Sequence, residues 1–157
     1  MTSPDIAKSK ITQLEAASVQ FDRAATLFMI ERDYISAVTL ACASEGITSE
    51  YLKDRKVKSH VEELKEFVQS ELAPTLNLKE INDRHINYAR NFFKHKICEE
   101  FEQFECDLEA EAIIALCRAA DNLVMLTELP SEKSVEFLQW LKVHRPDLIG
   151  NAETKTA

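Results

Sequence analysis

The sequence predicts an all-α protein, a compact bundle of five to six helices folded as a single domain. Three observations carry this. Among 157 residues there are only two glycines and four prolines, too few for the many turns of a sandwich or barrel. Apolar residues recur at steps of three and four along nearly the whole chain, which is the helical period. Ser59 and Asn77 are each followed three residues later by a glutamate, Glu62 and Glu80, the capping-box pattern that opens a helix.

Ile11, Leu14, Ser18, Phe21, Ala25 and Phe28 lie on one stripe and predict a first helix over about residues 9–31. Tyr34, Ile35, Val38, Cys42, Ile47 and Leu52 predict a second over about 33–53, with Asp33 as its N-cap. Gly46 inside it costs about 1 kcal/mol against alanine, which a close helix crossing would explain. The third helix starts at Ser59, has Val57, Val61, Leu64, Val68 and Leu72 as its buried stripe, and stops at Pro74. The fourth opens at Asn77 and is expected to run unbroken to about Ile97.

The fifth covers about 107–128, with Leu108, Ala112, Leu116, Ala119, Leu123 and Leu126 on one face. A short last helix starts at Pro130 and Ser131, carries Phe137, Leu138, Trp140 and Leu141, and closes at Pro146. The ordered core is therefore expected over about residues 9–146, with residues 150–157 as a frayed tail. No linker divides the chain, and no repeat recurs.

Composition narrows the function classes. The longest stretch free of charge, Tyr34 to Ser44, is eleven residues and too short to span a bilayer. The first residues lack the apolar run of a signal peptide, so a cytoplasmic protein without membrane association is expected. A net charge of −8 argues against broad, sequence-blind binding to nucleic acid. The charge is unevenly placed, however. Residues 79–96 hold Lys79, Arg84, Arg90, Lys94 and Lys96 against Glu80 and Asp83, whereas residues 99–111 hold seven acids and no cation.

Familiar catalytic motifs are missing. There is no P-loop, no G-x-G-x-x-G, no G-x-S-x-G and no H-E-x-x-H. Di-iron bundles need Glu-x-x-His twice, but Val57, Asn82, Phe92 and Leu141 precede the four histidines by three. No metal or other cofactor is expected. A metal-binding bundle would require carboxylates converging on His85 or His95. The four cysteines form no C-x-x-C pair; Cys42 and Cys117 read as reduced core thiols, while Cys98 and Cys106 flank the acidic segment.

The fourth helix remains as the place for chemistry. At 100° per residue, Ile81, Ile86, Ala89, Phe92, Phe93 and Ile97 share one arc of about 160°. Opposite lie Arg84, Asn87, Tyr88, Arg90, Asn91, Lys94 and His95. A continuous helix would separate Arg90 from His95 by about 7.5 Å along its axis, with Asn91 one turn before His95. A solvated face is the ordinary reading of such a stripe. Yet arginine offers a fork of donors to phosphate, and histidine both takes and gives protons near neutral pH. These are the parts for cleaving an RNA phosphodiester without metal.

The run Arg90-Asn91-Phe92-Phe93-Lys94-His95 resembles the R-x(4–6)-H motif of the HEPN superfamily, including the polar residue directly after the arginine. The second helix, with Asp33-Tyr34-Ile35-Ser36-Ala37 and then Ala43-Ser44-Glu45, looks like the helix that precedes the motif helix in many of these proteins. The likeness covers about residues 20–125, and the Asn-Phe-Phe-Lys-His string is similar to that of short, uncharacterised bacterial HEPN-like proteins. It implies an all-α homodimer, acting as an endoribonuclease of the kind found in toxin–antitoxin and phage-defence systems. In that reading His95 is the general acid or base, Arg90 holds the scissile phosphate, and Asn91 orients the histidine or donates to the phosphate. RNA is then the substrate, and an antitoxin is the protein partner to look for. The helical wheel adds Arg84, Asn87, Tyr88 and Lys94 as substrate contacts.

Glu45, an acid amid apolar residues, needs a buried partner, for which Arg90 or Arg84 is the natural candidate. It is either half of a structural ion pair or a carboxylate that orients the active-site arginine. His60 and His144 read as surface or capping residues, and His85 as a hydrogen-bonded core histidine. A second hypothesis keeps the fold without catalysis: a helical interaction module that binds a protein through its acidic surface.

Overall fold

The computed structural model describes residues 9–72, 74–75, 77–95 and 103–149, with the backbone alone for Leu72, Arg84 and His85. Cys98, the acids at 99, 100 and 102, and the tail from 150 lie outside the described residues. The fold is all-helical, and no strand occurs among the described residues. Among the described residues seven α-helices pack as a bundle: α1 (Gln13–Thr26), α2 (Tyr34–Asp54), α3 (His60–Phe67), α4 (Leu78–Ile81), α5 (Tyr88–Lys94), α6 (Leu108–Thr127) and α7 (Glu132–His144). None is long and apolar enough to cross a membrane.

Local chemistry sets the ends. α1 starts at Gln13 rather than near residue 9 because Thr12 and Glu15 form a capping box, with Glu15 Oε2 accepting from the Thr12 N–H at 2.7 Å. The same device, as the sequence predicts, opens α3 at Ser59–Glu62 and α4 at Asn77–Glu80. Asp33, Asp107 and Ser131 cap α2, α6 and α7 through their side-chain oxygens. The break after Glu31, which no glycine or proline marks, is made by Arg32 in the left-handed region at φ 57°.

The long helices α2 and α6 form the centre, with α1 against them and α7 packed on α1. Ala37 and Ala41 of α2 and Ala112, Ala115 and Ala119 of α6 are all buried, so small side chains let the helices approach closely. Phe21, Phe28 and Phe137 fill the space on the α1–α7 side. Phe28 meets Phe137 edge-on, with centroids 5.7 Å apart, and Trp140 at 4.7 Å.

The fourth predicted helix is where sequence and structure part. It is two helices, α4 and α5, joined by a π-type turn over Asn82–Ile86 and a break at Asn87 (φ −108°, ψ 15°). A π-type turn inserts one extra residue and so rotates everything after it by about 100°. The helical wheel therefore does not carry across residues 82–87. Asn87 shows the consequence: assigned to the polar outer face, it is buried.

Candidate functional site

The site begins with the clamp beneath α5. In the middle of α6, Arg118 is almost wholly buried and donates from Nη2 to both carboxylate oxygens of Glu45, each at 2.8 Å. The same nitrogen donates to Asn87 Oδ1 at 3.0 Å, and Nη1 donates to the Ile86 carbonyl at 3.3 Å. Asn87 Nδ2 donates in turn to Asn82 Oδ1 at 2.9 Å. Arg118 thus holds two consecutive residues at the start of α5 against α2 and α6.

Beside this network, Asn122 donates to Thr48 Oγ1 at 3.2 Å and Ser49 Oγ at 3.0 Å, extending the polar seam along α2 and α6. The buried partner that Glu45 needs is, among the described residues, Arg118 rather than Arg90; the side chain of Arg84, the other candidate, lies outside them. Asn87 is corrected from substrate contact to part of the clamp, because its amide is spent at both ends.

Beyond the clamp, α5 presents Arg90, Asn91, Lys94 and, at its C-terminal end, His95. Arg90 is half-buried, and its Nη2 lies 3.9 Å from where a methyl on Gly46 of α2 would sit. That is ordinary contact distance, so no close helix crossing demands the glycine; the neighbour there is a guanidinium. Its positive charge and that of Arg118 reach the Cys42 thiol, but burial first and Glu45 second push that thiol up to about 11.

Asn91 is half-buried, and Lys94 and His95 are exposed. His95 leaves the helix with extended backbone (φ −129°, ψ 142°), while its N–H still donates to the Asn91 carbonyl at 2.9 Å. Among the described residues the side chains of Arg90, Asn91, Lys94 and His95 make no hydrogen bond or ion pair.

Tyr88 sits differently from its expected place. Its ring packs on Phe104 at 4.8 Å, and Phe104 also meets Phe92 at 5.4 Å and Phe93 at 6.3 Å. Phe104, in the segment before α6, thereby folds that segment onto α5. The side chains of Arg84 and His85 lie outside the described residues.

The acidic stretch is partly consumed within the protein. Asp107 caps α6, and Glu109 accepts from Tyr34 Oη at 3.0 Å and from Arg145 Nη1 at 3.2 Å. Burial raises the pKa of Glu111, opposed by the charge of Arg118. His60 pairs with Asp121 at 3.2 Å, and His144 stacks on Trp140 at 4.5 Å. Among the described residues no three His, Cys, Asp or Glu side chains gather as a metal site requires.

Arg118 and Phe104 escape a reading of the sequence stripe by stripe. A signal for Arg118 exists: it is the lone cation in the apolar middle of α6, as Glu45 is the lone acid in the apolar middle of α2. Comparison of the chain with protein-family models, with curated proteins and with solved structures gave no match.

Proposed function

We propose that this chain is a metal-independent endoribonuclease of the HEPN type, acting at Arg90 and His95 in the cleft of a homodimer. One observation carries the reading. Among the described side chains Asn82 and Asn87 turn into the clamp, whereas Arg90, Asn91 and Lys94 of α5, with His95 at its end, make no hydrogen bond or ion pair. A helix fixed at its start and carrying a guanidinium, an amide and an imidazole offers what RNA transesterification needs.

In this reading an imidazole of His95 takes the proton of a ribose 2′-hydroxyl, and the 2′-oxygen attacks the adjacent phosphorus. The 5′-oxygen leaves with a proton returned by an imidazolium, and a 2′,3′-cyclic phosphate remains. Arg90 donates to the non-bridging oxygens, whose charge grows in the transition state. A two-fold cleft supplies one histidine as base and the other as acid. A role in toxin–antitoxin or phage defence belongs to the same proposal.

The test is cleavage of a mixed pool of transfer and messenger RNA in EDTA, by the purified protein and by His95→Ala. Products ending in 2′,3′-cyclic phosphate, formed about 10²–10⁴ times more slowly by the variant, are expected. Cleavage that is indifferent to His95, or a folded dimer that leaves the whole pool intact, overturns the reading in favour of a binding module.

A further inference from the structure

A groove of about 440 Å³ opens between α3 and α4, within the usual range of ligand pockets, about 300–1,000 Å³. Its walls carry Lys58, Lys65 and Lys79 beside Glu62 and Glu66. Both acids are already engaged. Glu62 accepts from the Ser59 N–H at 3.0 Å, and Glu66 from Lys58 Nζ at 2.7 Å. Among the described residues Lys65 and Lys79 make no hydrogen bond or ion pair; with Lys58 paired to Glu66 and Glu62 still charged, the groove carries one net positive charge in a chain of net charge −8.

Leu78, the first residue of α4 and 46% exposed, adds an apolar part to the wall. Asn82 also lines the groove, and it is the outer member of the chain Asn82–Asn87–Arg118 that holds the start of α5. Groove and α5 are therefore joined by fixed hydrogen bonds.

We infer that this groove is the track for the single-stranded RNA flanking the cleaved bond, with Lys65 and Lys79 on backbone phosphates and a base against Leu78. The inference rests on the ribonuclease reading and names where its substrate lies. Lysines without a partner beside one exposed apolar side chain suit a strand that carries both phosphates and bases, and they accept it whatever its base order.

The experiment measures fluorescence anisotropy of a short fluorescein-labelled oligouridylate in EDTA, in the non-cleaving His95→Ala background, across a salt series. Lys65→Ala with Lys79→Ala, a change of −2 in charge that Lys142→Glu matches, is expected to weaken binding at least about tenfold and to lower the salt slope by about 0.7 for each phosphate that is no longer neutralised. Lys142→Glu, an exposed lysine on α7, is the control for net charge and is expected to change affinity far less. Circular dichroism confirms that each variant is folded.

If the protein with His95 intact cleaves RNA but the double variant binds and cleaves as before, the groove assignment is overturned and the ribonuclease reading stands. If affinity falls equally with Lys142→Glu, the effect is overall charge and the groove assignment again fails. If the unmodified protein neither binds nor cleaves RNA, both fall together.

Discussion

One guanidinium nitrogen of Arg118, Nη2, lies 2.8 Å from each carboxylate oxygen of Glu45, and both side chains are less than 5% exposed. That pair joins the two central helices and, through Asn87, carries the start of α5. A buried charge left alone is costly, because its hydration is lost without a counter-charge. Arg118→Met is therefore expected to lower unfolding free energy by about 3–5 kcal/mol, measured in urea. Glu45→Leu combined with Arg118→Met is expected to recover much of that loss, since no unpaired charge remains. A single variant as stable as the parent would show that the pair contributes nothing to folding.

Glu128 ends α6 with φ 65°, where an L side chain crowds its own carbonyl, and its side chain is exposed. Glu128→Gly removes that crowding and should stabilise by about 1 kcal/mol, or about 2–4 °C in thermal midpoint. Arg32 shares the conformation, at φ 57°. Its guanidinium, however, lies 5.5 Å over the Trp140 ring and within 3.4 Å of Tyr34 Oη. Arg32→Gly is expected to gain less or to lose, and equal gains at both positions would refute the distinction.

Glu111 should give the stability curve a definite sign with pH. Burial raises its folded pKa above the unfolded value, so the folded state holds the proton more tightly. Its penalty is absent below the unfolded pKa, grows as pH rises through the interval up to the folded pKa, and is complete above it. Glu111→Gln should therefore raise the urea midpoint at neutral pH and lose that advantage in acid. A benefit independent of pH would point to packing instead.

Thiol chemistry offers an independent check of the core. Burial, aided by Glu45, pushes Cys42 up to about 11, and burial aided by Asp121 does the same for Cys117. Cys106 is raised too, but it is more accessible than the buried Cys42. Because the thiolate is the reacting form, an aromatic disulfide reagent at mildly alkaline pH should label Cys106 well before the other two. Labelling of the buried Cys42 should keep pace with unfolding in urea, and rapid native-state labelling there would contradict the packing described.

Much of this protein is legible in its sequence because helices announce themselves locally. The capping boxes at Ser59 and Asn77, the N-cap at Asp33, and the alanine and leucine spacing of α6 all lie within a few residues of what they specify. The polar string from Arg90 to His95 is legible for the same reason. What the sequence did not disclose depends on residues far apart in the chain. Glu45 is separated from Arg118 by 73 residues, so its partner emerges only when α2 and α6 meet.

The split of the fourth helix has the same origin. The segment 77–95 reads as one amphipathic helix, but Arg118 draws the Ile86 carbonyl and the Asn87 amide inward, where the helix is broken. Phe104 then closes over Tyr88 and Phe92, one turn apart on α5, and so takes Tyr88 into an aromatic cluster instead of the polar face assigned to it. Local spacing determined the all-α class, the helix starts and the residues available for chemistry. The tertiary structure decided which of those residues are clamped and which are left uncommitted, because a buried charge must find its counter-charge wherever the chain brings one.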